Sequence, residues 1–286
     1  MAGPDFILIG AMKSGTSTLA AQLGAQDGIF ITTPKEPNYF SDDEIYVQGP
    51  DWYARLFEGA AAGDLKGEAS THYTKLPTYP ETLARLTAGC EAKRFVYMIR
   101  NPMDRAVSHF MHEWSQGLIG QEVSLDQALD VLPEMISYGL YGMQMAAWLD
   151  VFDRTQIHIE TMEALKLDPQ EVLTRVGRFL ERDGLVWQAD LGRQNVSTER
   201  LRAGPFDRWL LHSAPATWLR RTLVPQTLRD RIKAGRRMPE RPSFSAATIT
   251  RLEATFAEDR TLLLSKFPDR PDLDVCYPFC RARGAA

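Results

Sequence analysis

Lys13, Ser14, Gly15, Thr16, Ser17 and Thr18 put one ammonium, one glycine and four hydroxyls into six consecutive residues. That set suits an anion with several oxygens: the ammonium supplies a full charge and the hydroxyls supply donors. If a helix starts at about Gly15, its unpaired N–H groups and the positive end of its dipole add to the attraction. The order differs from the nucleotide-triphosphatase loop GxxxxGK[ST], because Lys13 precedes Gly15 and stands three residues after Gly10. A second group is Arg100, Arg105 and Ser108. An arginine fork and a serine hydroxyl fit a terminal phosphate monoester, with two charge-assisted bonds from the fork and one donor from the side. Arg105, three residues before Ser108 and on the same helix face, is read as a structural arginine making a helix-surface ion pair.

Strands and helices must place these groups. Phe6–Ile9 reads as a buried strand running into the Lys13 turn, and Phe95–Ile99 as a second strand with Arg100 at its carboxyl end. Asn101-Pro102 then breaks that strand and opens a helix, with Pro102 suited to the first turn. Ile157–Ile159 reads as a further strand, Ile29–Ile31 is a short apolar run, and a short strand precedes Glu68. Helical spacing covers the Gly139–Leu149 region through Phe152, then about Pro169 to Leu180 and Phe244–Leu264. Alternating strands and helices argue for a doubly wound α/β sheet, parallel and flanked by helices. Ligands bind such sheets outside the carboxyl ends of the strands, so Lys13 and Arg100 face one crevice. Between them, Thr33-Pro34-Lys35-Glu36-Pro37-Asn38-Tyr39-Phe40-Ser41-Asp42 has two prolines stiffening Lys35-Glu36, which marks a positioned loop rather than plain surface.

The Lys-Ser-Gly-Thr order resembles the 5′-phosphosulfate loop of sulfotransferases that use 3′-phosphoadenosine 5′-phosphosulfate (PAPS). Arg-Asn-Pro-Met-Asp-Arg-Ala-Val-Ser resembles their 3′-phosphate motif R-x-P-x-x-R-x-x-S, with Arg100 and Ser108 at the ligand positions. Lys35-Glu36-Pro37-Asn38-Tyr39-Phe40 resembles the Lys-Glu-Pro-His-Phe-Phe segment of the members acting on carbohydrate hydroxyls, such as the heparan sulfate group. Asn38-Tyr39 replaces His-Phe, a change expected to bear on the acceptor pocket. The resemblance implies a P-loop-like fold, PAPS as donor and 3′-phosphoadenosine 5′-phosphate (PAP) as product. It also implies Glu36 as general base and Lys13 as the cation at the leaving oxygen, with no metal. Gly67-Glu68-Ala69-Ser70-Thr71-His72-Tyr73 resembles the family's G-E-x-S-P-x-Y segment, with Thr71 in place of proline. Glu68, Ser70, His72 and Lys35 are therefore expected around the acceptor, His72 being the rival base. Lys75 reads as a surface lysine, with sulfonate neutralisation as its other role. Arg193, in Arg193-Gln194-Asn195-Val196-Ser197, follows the family's nucleotide-side loop.

Composition bounds the rest. The 286 residues are 44% hydrophobic, enough for one large core, and 1–286 are read as a single domain. Residues 193–241 carry twelve Arg/Lys against four Asp/Glu, a local +8 in a chain of −4. This block, with Trp209-Leu210-Leu211 and Trp218-Leu219, is read as a helical insertion acting as an acceptor lid. Plain solvated scaffold and membrane-surface contact through 204–221 are its other readings. An acidic chain without a nucleic-acid module argues against nucleic acid. No apolar run reaches the ~20 residues of a membrane helix, and the first strand starts so near Met1 that a soluble cytoplasmic protein is expected. His109/His112/Glu113 lack zincin spacing, and three cysteines argue against a disulfide framework. Two readings compete with the sulfotransferase one: a nucleotide-dependent small-molecule kinase and a non-catalytic PAP-binding protein. The acceptor, a carbohydrate or a small-molecule or secondary metabolite, and the oligomeric state are not encoded in any motif.

Overall fold

The computed structural model describes residues 3–191, 238 and 240–282. Arg193 and nearly all of the basic block, including 204–221, lie outside the described residues. Five strands, β1 (Phe6–Gly10), β2 (Ile29–Ile31), β3 (Leu65–Ala69), β4 (Arg94–Ile99) and β5 (Ile157–Thr161), form one parallel sheet in the order β2-β3-β1-β4-β5. From β1 the chain goes to the edge strand β2, returns to β3 between the two, then crosses to the other side for β4 and β5. The order therefore reverses between β1 and β4, which is where an open α/β sheet leaves its binding crevice.

Every residue of β1 is buried, as expected for a strand covered on both faces. The period-two alternation of strand side chains divides them between two cores. Ile7, Ile9, Phe95, Tyr97, Ile99, Ile157 and Ile159 join one face. Phe6, Leu8, Val96 and Met98 join the other. Helix α1 (Thr16–Gly24) and the helices Met162–Leu167 and Pro169–Phe179 pack on the second face through Leu19, Leu23, Leu165, Val172 and Val176. Tyr141, Met145 and Trp148 of α2 (Tyr141–Leu149), with Leu263 of α3 (Ala246–Lys266), cover the first. A third core lies under the helix that opens at Pro102, through Ala106, Phe110, Met111 and Trp114 with Leu252 and Phe256. The helix expected over Phe244–Leu264 forms as Ala246–Lys266 and is followed by two short helical segments, Pro271–Cys276 and Pro278–Ala282.

Candidate active site

The Lys13 turn leaves β1 through Gly10, whose φ of 142° only glycine adopts readily and whose missing Cβ leaves room for the Thr74 hydroxyl. Thr74 Oγ1 donates to the Ile9 carbonyl (2.9 Å), joining the turn after β3 to the end of β1. Lys13 and Gly15 both have positive φ, 68° and 90°. Gly15 caps α1, and no side chain caps the helix's first amides, so these remain available to an anion. Ser14 and Thr16 are buried, while Lys13, Ser17 and Thr18 are partly open.

Arg100 follows β4 and turns back to this loop. Its Nη1 donates to the Lys13 carbonyl at 3.3 Å, across 87 residues of sequence. Asn101 caps the helix Pro102–Ser115, accepting from the Met103 and Asp104 amides at 2.9 and 3.3 Å. Glu163 Oε1 accepts from the Asn101 amide at 2.9 Å, tying this corner to the helix after β5. Ser108 lies partly exposed two turns into the Pro102–Ser115 helix. Arg105 departs from expectation: it makes no surface ion pair but is fully buried, donating to the Met135 carbonyl. Its long stem inserts into the core, and its guanidinium serves as a strut between two helical segments. Arg241, the last residue of the basic block, pairs with Asp104 at 2.6 Å, next to the longer 3.7 Å approach of Arg100 to the same carboxylate. That competition for Asp104 leaves Arg100 less committed, and sequence reading missed it because 137 residues separate the pair.

Ser14 Oγ and Arg100 Nε are buried without a well-formed hydrogen bond. Buried polar atoms are normally paired, so these donors beside an uncapped helix start fit a polyanionic nucleotide.

The Glu36 loop is held from two sides. Tyr39 and Phe40 sink into an aromatic core against Tyr53, Tyr39 stacked on its ring at 4.5 Å and Phe40 edge-on at 5.1 Å. Tyr39 is thus a core anchor. The Asn38 amide donates to Ser70 Oγ at 3.0 Å, and Ser70 Oγ donates to Glu68 at 2.6 Å. Glu68 lies within β3 rather than after it, paired with Ile7 of β1 and fully buried. Burial pushes its carboxyl up, more than the bonds from Ser70, Tyr53 and Tyr73 pull it down. Enclosed in this way, Glu68 cannot reach a substrate proton; it braces the loop through Ser70.

Glu36 itself is partly open. Lys35 Nζ lies 2.9 Å from its Oε1, and both the amide (3.2 Å) and the hydroxyl (2.8 Å) of Thr71 donate to Oε2. The substitution noted at Thr71 has a consequence here, since proline offers neither N–H nor O–H. Burial raises the Glu36 carboxyl, but the Lys35 charge, the bonds from Lys35 and Thr71, and the Lys75 charge hold it below its ordinary value. It is ionised and oriented at neutral pH.

His72 Nδ1 lies 2.9 Å from Asp42 Oδ1, and its ring stacks on Tyr79 at 4.5 Å. Burial and the Lys75 charge lower its pKa despite Asp42. Lys75 is not the surface lysine expected: it is 8% exposed, its ammonium 5.6 Å from the centre of the Tyr138 ring. The sequence offered no signal for the pairing of Asp42 with His72, 30 residues away, or for the burial of Lys75.

A sequence model of the "Sulfotransferase domain" family matches residues 3–213, so the chain belongs to the sulfotransferase domain family. It is 27% identical over 192 residues to a bifunctional heparan sulfate N-deacetylase/N-sulfotransferase 1 of Caenorhabditis elegans, covering 62% of this chain and 22% of that protein. It is 28% identical over 185 residues to the mouse heparan sulfate glucosamine 3-O-sulfotransferase 3B1, covering 62% of this chain and 46% of that one. The chain thus spans about a fifth of the first of these and under half of the second. Among solved structures, a sulfotransferase from Alicyclobacillus acidocaldarius aligns over 93% of this chain and 96% of its own, at 26% identity and a TM-score of 0.62. Among the described residues no helix is long and apolar enough to cross a membrane.

Proposed function

We propose that the protein transfers a sulfuryl group from PAPS to an acceptor hydroxyl, releasing PAP. The observation that carries this reading is the bond from Arg100 to the Lys13 carbonyl, which brings the two phosphate motifs to one corner of the sheet. Family membership supports it. Lys13, Ser14, Gly15, Thr16, Ser17 and Thr18 would hold the 5′-phosphosulfate, and Arg100 and Ser108 the 3′-phosphate. The donor supplies a sulfuryl group already activated by its bond to phosphate. Lys13 stabilises charge on the oxygen that leaves, and Glu36 accepts the acceptor's proton. Thr71 and Lys35 orient Glu36, while Ser70 and Glu68 hold its loop. His72, fixed through Nδ1 by Asp42, is the second candidate base. We read 1–286 as one domain and the protein as soluble and cytoplasmic.

Calorimetry with PAP and ATP tests the reading directly. Tight PAP binding with weak ATP binding is expected, and the reverse sinks it. Turnover with labelled donor in excess chelator separates it from a Mg²⁺-dependent kinase, and turnover with any acceptor separates it from a nucleotide sensor.

A further inference from the structure

Around Glu36 the carboxylates are already spoken for. Glu36 is bound by Lys35 (2.9 Å), Asp42 by His72 (2.9 Å) and Glu113 by His109 (3.5 Å). Lys75 is not. The attraction it feels comes from Glu36, Glu113 and Asp42, yet none of them comes within ion-pair distance of its ammonium. Nor is the side chain loose. Gln144 bonds both the amide (3.1 Å) and the carbonyl (2.9 Å) of the next residue, Leu76. The Tyr138 ring beneath the ammonium is itself fixed, its hydroxyl 2.7 Å from Thr78 Oγ1 and its face stacked on His109 at 5.7 Å. A largely buried ammonium with no carboxylate at ion-pair distance among the described residues is costly, and burial has pushed this one down to about 8. A bound oxyanion would supply what the fold leaves out.

We propose that Lys75 is a specificity-determining residue of the acceptor side, its ammonium binding an oxyanion, a carboxylate or a sulfate ester, carried by the acceptor beside the hydroxyl that Glu36 serves. The proposal rests on the function proposed above. The acceptor side is indicated because the strongest charged neighbours of Lys75 are Glu36, Glu113, Asp42 and Arg105. Lys13 and Arg100, assigned to the donor, share a contact of their own elsewhere.

The test measures binding of three sugars to the protein saturated with PAP: para-nitrophenyl β-glucoside, the corresponding glucuronide, and the glucoside bearing a sulfate ester on its primary hydroxyl. Both anionic sugars are expected to bind about ten- to a hundredfold more tightly than the neutral one, the scale of one charge-assisted hydrogen bond. Lys75→Met should erase that preference and Lys75→Arg should keep most of it, both with unchanged PAP affinity. A merely structural lysine would show no such rescue. Melting temperatures check folding, and Lys75→Met should not melt lower, since it removes an unpaired buried charge. In the unliganded setting Lys75 faces Glu36, Asp42, His72, Arg105, His109, Glu113 and Tyr138, and the preference should fade as pH rises through about 8. Equal binding of the three sugars, including no binding of any, overturns the proposal. So does a Lys75→Met variant that weakens PAP as much as the sugars, because the cation then serves the donor. Should PAP itself fail to bind the wild type, the functional reading falls, and the same sugar series without nucleotide still decides the role of Lys75.

Discussion

At the ends of β1 and β4 the candidate site residues come from two unbroken strings, whereas at the ends of β2 and β3 they come from several separate elements. Lys13 through Thr18 and Arg100 through Ser108 need one long-range contact, Arg100 to Lys13, to become a single corner. Beside the Glu36 loop, by contrast, each titratable group takes its character from a partner that packing delivers: Thr71 for Glu36, Asp42 for His72, and the Tyr138 ring for Lys75. The contrast has a physical origin. Phosphate is recognised largely by backbone amides and fixed positive charge, which a strand–turn–helix encodes locally. Proton chemistry depends on burial and on neighbouring charges, which are tertiary quantities.

The sharpest way to break this contrast is Glu36→Gln. It should cut kcat by ~10²–10⁴, the range for a lost general base, while PAP affinity measured by calorimetry stays put. Near-normal turnover would transfer the base role to His72 and leave the donor half untouched. Arg100→Ala should do the opposite, weakening PAP by about a hundred- to a thousandfold through lost charge-assisted bonds, with acceptor binding preserved. A variant that harms both sides equally would mean the two halves are not separable. A smaller effect is expected from Thr71→Val, which removes one donor to Glu36 and keeps the amide. The Glu36 carboxylate, now held below its ordinary value, should become easier to protonate. As the base form is lost when pH falls, the acid limb of the pH–rate profile should move to higher pH, with kcat near neutrality changing less than about threefold. An unmoved limb would show that the limb reports another group.

Smallest of all is a change away from both halves. Asp259 accepts from the amides of Gly142 and Met143 at 2.8 Å each, capping α2 from α3. Burial raises it to about 6. An acid raised in the folded state adds stability below its unfolded pKa and loses it as pH climbs through the folded value. The melting temperature should therefore fall between about pH 4 and about pH 6, the model-peptide and the raised pKa, and Asp259→Asn should flatten that slope with kinetics of both halves unaffected. A slope that survives the substitution assigns it elsewhere.

Much of the frame could be read from residue order. The run Phe6–Ile9 and the run Phe95–Ile99 announced central strands, because only strands buried on both faces are apolar at every position. Pro102 and Asn101 announced the helix start that aims Arg100. Arg105 was misread because a charged residue on an amphipathic helix defaults to solvent, and only the packing of the segment around Met135 shows that it is enclosed. Lys75, just after the short helical turn Thr71–Thr74, was misread because a lysine in a loop defaults to the surface. Glu68 looked like a crevice residue until pairing with β1 placed it inside the sheet, against Tyr53.

Spacing along the chain thus determined by itself the class of fold, the Lys13 turn at the end of β1 and the arginine that follows β4, since turn chemistry and strand periodicity act over a few residues. Which carboxylate is open and oriented, which lysine is buried over a tyrosine ring, and which arginine is a strut were decided only when distant segments came together. Desolvation and Coulomb interaction act through space, and the order of residues does not contain those distances.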